Sequence, residues 1–87
     1  MKIKHGALSH TVLMYASFMR ASKKFTASEA HQFWPHKFRK SSDVARSCGS
    51  LVRGGYLMPV EDGWRITESG RLILARVANT NNRKESV

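Results

Sequence analysis

The sequence predicts an α+β fold in the order helix, helix, helix, hairpin, helix, and three observations carry that prediction. Apolar residues between Ala7 and Arg20 recur at helical spacing. Thr26-Ala27-Ser28-Glu29 has the form of a helix-opening capping box. Asp62-Gly63 lies between two short β-prone runs, a strong two-residue hairpin signal. At 87 residues the chain has room for one hydrophobic core, because a domain of this size buries only about 60 to 65% of its unfolded surface.

In the first helix, expected from Ala7 to Arg20, Leu8, Val12, Tyr15, Ala16 and Met19 fall on one face. The second helix opens at Thr26 and stops near Phe33 or Trp34, since Pro35 has no amide hydrogen and drives its predecessor out of the helical region. A basic connector follows from Pro35 to Lys40, with Phe38 as its expected anchor. Ser41 or Ser42 then offers an N-cap, Asp43 favours the first turn, and the third helix runs to Arg53. Gly54-Gly55 supplies its left-handed end. With Asp62-Gly63 as the turn, Glu61 pairs with Trp64 and Pro59 with Ile66. Leu57, Pro59, Trp64 and Ile66 then share the core-facing side. Thr67 caps a last helix through Val77, in which Gly70 permits close approach of another backbone. Residues 1–6 are expected as an N-terminal arm, 7–78 as the domain and 79–87 as a flexible tail.

Composition narrows the function. Leu, Ile, Val and Phe supply 19 of the 87 residues, a little above the roughly 20% below which a charged chain tends to stay disordered. The longest uncharged stretch, His5 to Met19, is shorter than the roughly 20 apolar residues of a membrane span, and no secretory signal is expected. A cytoplasmic, nucleoid-associated location follows as the expectation. Cys48 is the sole cysteine, so no internal disulfide forms. Fifteen Lys and Arg against six Asp and Glu give a net charge of +9, spread along the chain, which favours a polyanionic partner. Nucleic acid is the expected one.

Two stretches carry a family resemblance. Asp43-Val-Ala-Arg-Ser-Cys-Gly-Ser-Leu-Val-Arg-Gly-Gly-Tyr-Leu57 resembles the recognition helix and exit turn of winged-helix regulators, and Trp64-Arg-Ile-Thr-Glu-Ser-Gly-Arg71 resembles the segment that closes the wing and opens the next helix. The resemblance covers roughly residues 7 to 78 and implies a winged helix-turn-helix domain of the small prokaryotic or phage type, a DNA-binding fold. The chain departs from the pattern at Cys48, where Leu is commoner, at Gly49 in mid-helix, in the long connector, and at the acidic wing tip Glu61-Asp62.

At 100° per residue the third helix carries Val44, Cys48, Leu51 and Val52 on its core side and Ser42, Arg46, Gly49 and Arg53 opposite, flanked by Ala45 and Ser50. The same stripe also suits a solvated helix face. Combined with the charge and the element order, it makes Ser42, Ala45, Arg46, Gly49 and Ser50 the candidates for reading bases, with Arg46 able to pair bidentately with guanine. Thr26, Ser28, Lys37, Arg39, Lys40, Ser41, Arg53 and Arg65 are the candidates for phosphate contacts. The last helix is apolar nearly all round, so Leu72, Leu74, Val77 and Ala78 are expected to form a homodimer interface.

Other chemistry is weaker. His5 and His10, and His31 and His36, are each five apart, a spacing that does not place two rings on one helical face, so no metal or other cofactor is expected. Cys48 lies between core positions and is expected to be inert. No nucleophile with a base, and no carboxylate pair outside the turn, points to catalysis or a small-molecule substrate. The alternative is a protein-interaction adaptor or inhibitor on the same fold. RNA binding, a third possibility, calls for an aromatic platform that the sequence does not reveal.

Overall fold

The computed structural model describes the backbone of residues 7–85 and the side chains of residues 7–77. It has four helices, α1 (Leu8–Ala16), α2 (Ala27–Phe33), α3 (Ser41–Arg53) and α4 (Glu68–Glu85), and one antiparallel hairpin of β1 (Leu57–Val60) and β2 (Gly63–Ile66). The element order is the expected one. The arm at 1–6 lies outside the described residues. Every element except α4 places fully or almost fully buried side chains in one core, whose largest fully buried members are Phe25, Phe38, Leu13 and Leu51. Burying each contributes about 1.5–3 kcal/mol.

Local chemistry sets the α2 and α3 boundaries. In the capping box the Glu29 amide donates to Thr26 Oγ1 at 3.1 Å and the Thr26 amide donates to Glu29 Oε1 at 3.2 Å. Helix α2 ends after about two turns, with Trp34 as its C-cap ahead of Pro35. Helix α3 ends in a Schellman motif, in which the Tyr56 amide donates to Leu51 O at 2.9 Å and the Gly55 amide to Val52 O at 3.0 Å. Gly55 supplies the required positive φ of 82°.

The start of α3 corrects one expectation. Lys40, not Ser41 or Ser42, is the N-cap, with extended dihedrals and no side-chain cap bond. The connector explains the shift: fully buried Phe38 fixes where the chain enters, and Arg39 O is held by His31 Nε2 at 3.2 Å, so both serines fall inside the first turn.

Helix α1 stops at Ala16, not Arg20. Its last turn tightens to three-residue spacing, with the Ser17 amide donating to Met14 O at 3.2 Å and the Phe18 amide to Tyr15 O at 3.1 Å, while Ser17 Oγ donates to Met14 O at 2.8 Å. The turns that follow bring Ala21 and Phe25 into the core and leave Met19, expected on the apolar face, 89% exposed.

The hairpin keeps its expected face but not its expected register. Leu57 pairs with Ile66, Pro59 with Trp64 and Val60 with Gly63, so the turn is Glu61-Asp62. Each strand has slipped by one residue in opposite senses, which preserves the alternation, and Leu57 and Ile66 are buried as expected. Pro59, expected to face the core, is exposed at the outer strand. Gly63 has no positive φ, and neither turn residue does, which excludes the primed turns that Asp-Gly usually signals. The glycine serves a different need: a Cβ there would collide with the Phe25 carbonyl oxygen. Phe25 forms an isolated bridge with Trp64 on the far side of β2.

Thr67 ties α3 to α4. Its amide donates to Tyr56 O at 3.1 Å, its hydroxyl donates to Gly55 O at 2.7 Å, and the Gly70 amide donates to that hydroxyl at 3.0 Å as an N-cap bond. A Cβ on Gly70 would meet the Tyr56 carbonyl oxygen and come within 2.7 Å of Ile66 Cγ1, which is the close approach expected there. The α4 backbone continues to Glu85, so residues 79–85, expected as a tail, are helical; no Gly or Pro after Gly70 interrupts the ladder. Ser86 and Val87 lie outside the described residues. Among the described residues no helix is long and apolar enough to cross a membrane.

Candidate nucleic-acid interface

Helix α3 separates two kinds of side chain cleanly. Val44, Cys48 and Leu51 are fully buried and Val52 packs partly against the core, while Ser42, Arg46, Gly49, Ser50 and Arg53 are exposed. Of the five candidates for base reading, four therefore stand together on the outer surface of one helix. Ala45 is half-buried at its edge. Burial pushes the Cys48 thiol up to about 12, so it stays protonated and acts as a small apolar side chain.

Gly49 faces open space. A Cβ built there meets no atom within 4 Å, and its φ is not positive, so neither packing nor backbone conformation of the fold calls for glycine. Its cost to the helix, about 1 kcal/mol against Ala, has no compensation among the described residues.

The connector delivers cations to the same end of α3. Lys37, Arg39, Lys40 and Ser41 are all exposed, and Lys37 Nζ sits 5.9 Å from the centroid of the Trp34 ring, a cation–π contact that positions it. Between Lys37 and Arg53 five Lys and Arg accompany one carboxylate, Asp43, so this part of the surface carries a strong positive potential. Arg53 lies in the last turn of α3, where its charge also complements the helix dipole.

The remaining phosphate candidates are less directly aligned. Ser28 is exposed in the first turn of α2, whereas the Thr26 hydroxyl already accepts the Glu29 amide. Arg65 stands on the outward side of β2, paired across the hairpin with Met58. The hairpin tip is acidic, and Asp62 Oδ2 lies 3.6 Å from Lys24 Nζ; with both side chains well exposed such a pair contributes little to stability.

Two expectations for apolar surface change. Leu74, expected at the centre of a dimer face on α4, packs partly against the core together with Ile73, leaving Leu72 exposed and Val77 half-exposed; the Ala78 side chain lies outside the described residues. Sequence reasoning also missed an exposed group near the ends of α1 and α2, where Phe18, Met19 and Phe33 are 41%, 89% and 54% exposed. Phe18 and Phe33 touch each other at 5.8 Å between ring centroids, and both touch Tyr15 and Trp34. The available signal was Met19 itself, which fits the helical face only if α1 continues to Arg20.

Among the described residues no group of three or more His, Cys, Asp or Glu could hold a metal ion. No family model, curated protein or solved structure matches the chain.

Proposed function

We propose that the chain is a winged helix-turn-helix protein that binds double-stranded DNA in a sequence-specific way and serves as a small transcriptional regulator. The observation that carries this reading is the outer stripe of α3, where Ser42, Arg46, Gly49 and Arg53 are exposed opposite a fully buried stripe, and where a glycine costly to the helix faces open space.

A helix entering the major groove needs short side chains where it comes close and forked donors where it reads base edges. Gly49 meets the first need and Arg46 the second. Lys37, Arg39, Lys40 and Ser41 hold phosphates on the approach to α3, and Arg53 does so at its exit, which fixes register without conveying sequence. The acidic tip Glu61-Asp62 stays clear of the backbone, and the hairpin contributes at most through Arg65. The α2–connector–α3 unit plays the part of the helix-turn-helix, with β1 and β2 as the wing.

The test is selection of bound sequences from a random double-stranded DNA pool, followed by a salt titration on the enriched site. The expected result is an enriched motif and a linear fall of log K with log salt, whose slope counts the phosphates neutralised. Salt-sensitive binding without enrichment would replace the regulator with a non-specific architectural role. An absence of binding at about 150 mM salt would overturn the proposal.

A further inference from the structure

Two residues at the end of α2, His31 and its C-cap Trp34, hold the basic connector that leads to α3. The Trp34 carbonyl accepts the Lys37 amide at 3.0 Å and the Phe38 amide at 2.8 Å, and Lys37 Nζ lies 5.9 Å from the centroid of the Trp34 ring. Phe38 is fully buried. At the next residue His31 Nε2 meets the Arg39 carbonyl at 3.2 Å, and because a carbonyl oxygen only accepts, Nε2 carries the proton and donates it. The Lys40 carbonyl in turn accepts the Asp43 amide at 3.2 Å as α3 begins.

Each residue from Lys37 to Lys40 is thus fixed through its backbone, and three of the four are exposed cations. Among the described residues His31 is the one side chain that hydrogen-bonds the backbone of this stretch. Its bond secures the peptide between Arg39 and Lys40, beyond the reach of the buried Phe38 anchor. A loose cationic segment must be ordered as it closes on phosphates, and that ordering weakens binding; a segment already held in place is spared the loss.

We infer that His31 is a positioning residue for phosphate contact: through the Arg39 carbonyl it presets the backbone from which Arg39 and Lys40 reach the sugar-phosphate chain of a duplex. The inference rests on the DNA-binding reading and adds to it a side chain that acts through the backbone of its neighbours. Phosphates carry no sequence information, so the effect of His31 is the same on every duplex.

Fluorescence anisotropy tests this on the enriched duplex and on one of unrelated sequence, with His31→Ala and His31→Gln beside the wild type. Alanine favours a helix more than histidine does, so α2 is kept while the donor is removed. Glutamine returns an N–H donor the same number of bonds from Cα. His31→Ala should lower affinity for both duplexes by a common factor of roughly two- to tenfold, the effect of one hydrogen bond, with the base preference and circular dichroism unchanged. His31→Gln should recover most of that loss. Unchanged affinity in His31→Ala would overturn the inference, as would a loss confined to the enriched duplex or one that glutamine leaves unrepaired. A wild type that binds neither duplex would overturn the DNA-binding reading and this inference with it, an outcome read without any variant.

Discussion

Phe25 and Trp64 exchange two backbone hydrogen bonds, the Phe25 amide donating to Trp64 O at 2.8 Å and the Trp64 amide to Phe25 O at 2.9 Å. A residue from the segment between α1 and α2 thus acts as a one-residue third strand beside β2. Their rings also meet, 5.9 Å between centroids. The hairpin is consequently fastened along its inner edge to the helical part of the domain, and Gly63, next to Trp64, is the residue that lets the two backbones approach.

Gly63→Ala is expected to destabilise the fold by about 1–3 kcal/mol, as an overpacked contact with a backbone atom that cannot rotate away. Urea unfolding followed by circular dichroism measures it. An unchanged midpoint would mean that β2 does not lie against Phe25.

Gly49→Ala should move stability and binding in opposite directions. The helix gains up to about 1 kcal/mol, because the new methyl enters open space. Affinity for an enriched DNA site should fall, because the same methyl stands where the groove floor comes closest. Equal or improved affinity would remove Gly49 from the reading surface.

Arg46→Ala should cost about 1–3 kcal/mol on the enriched site and relax the preference at one position, with little effect on folding since the side chain is exposed. Lys37→Ala and Lys40→Ala should weaken binding evenly across sequences, each reducing the salt slope by about 1. Fluorescence anisotropy at several salt concentrations separates the two behaviours. A sequence-independent loss at Arg46 would reassign it to phosphate.

Alkaline pH should unfold the protein through Cys48. The unfolded thiol ionises near its ordinary 9.0 and the folded one near 12, so from about pH 9 upward the unfolded state releases a proton that the folded state keeps. Stability attributable to this group is whole below pH 9 and is lost as pH rises toward 12. Tyr15, raised from 10.0 by burial and then by Glu29, acts in the same direction. Urea midpoints measured between pH 7 and pH 11 should fall at the alkaline end, and Cys48→Ala should flatten that fall while lowering the neutral-pH value. Native Cys48 should resist iodoacetamide until urea opens the core; rapid alkylation of the folded protein would contradict its burial.

What the sequence made legible was chemistry confined to a few neighbouring residues. The Thr26–Glu29 box, the Gly54-Gly55 exit and the Thr67 cap each depend on groups within one turn or two, and each is present. The two stripes of α3 were readable for the same reason, since a single period assigns every side. The register of the hairpin was not, because Gly63 answers to Phe25, a residue some forty positions away. Nor was the end of α1, which no Gly or Pro announces and which the burial of Ala21 and Phe25 decides. The exposed group of Phe18, Met19 and Phe33 follows from that turn, and so escaped detection along with it.

Pro59 has one further effect. Both backbone groups of Trp64, its partner across the hairpin, are taken by Phe25, so the nitrogen of Pro59 points outward along β1, the strand that no other element among the described residues pairs with. An unpaired strand ordinarily offers a row of donors and acceptors to any neighbouring molecule and templates sheet growth between chains. Here the one donor that would sit mid-strand is absent, on a strand only four residues long. The hairpin can therefore project into solvent without offering a neighbouring chain a mid-strand donor for sheet growth.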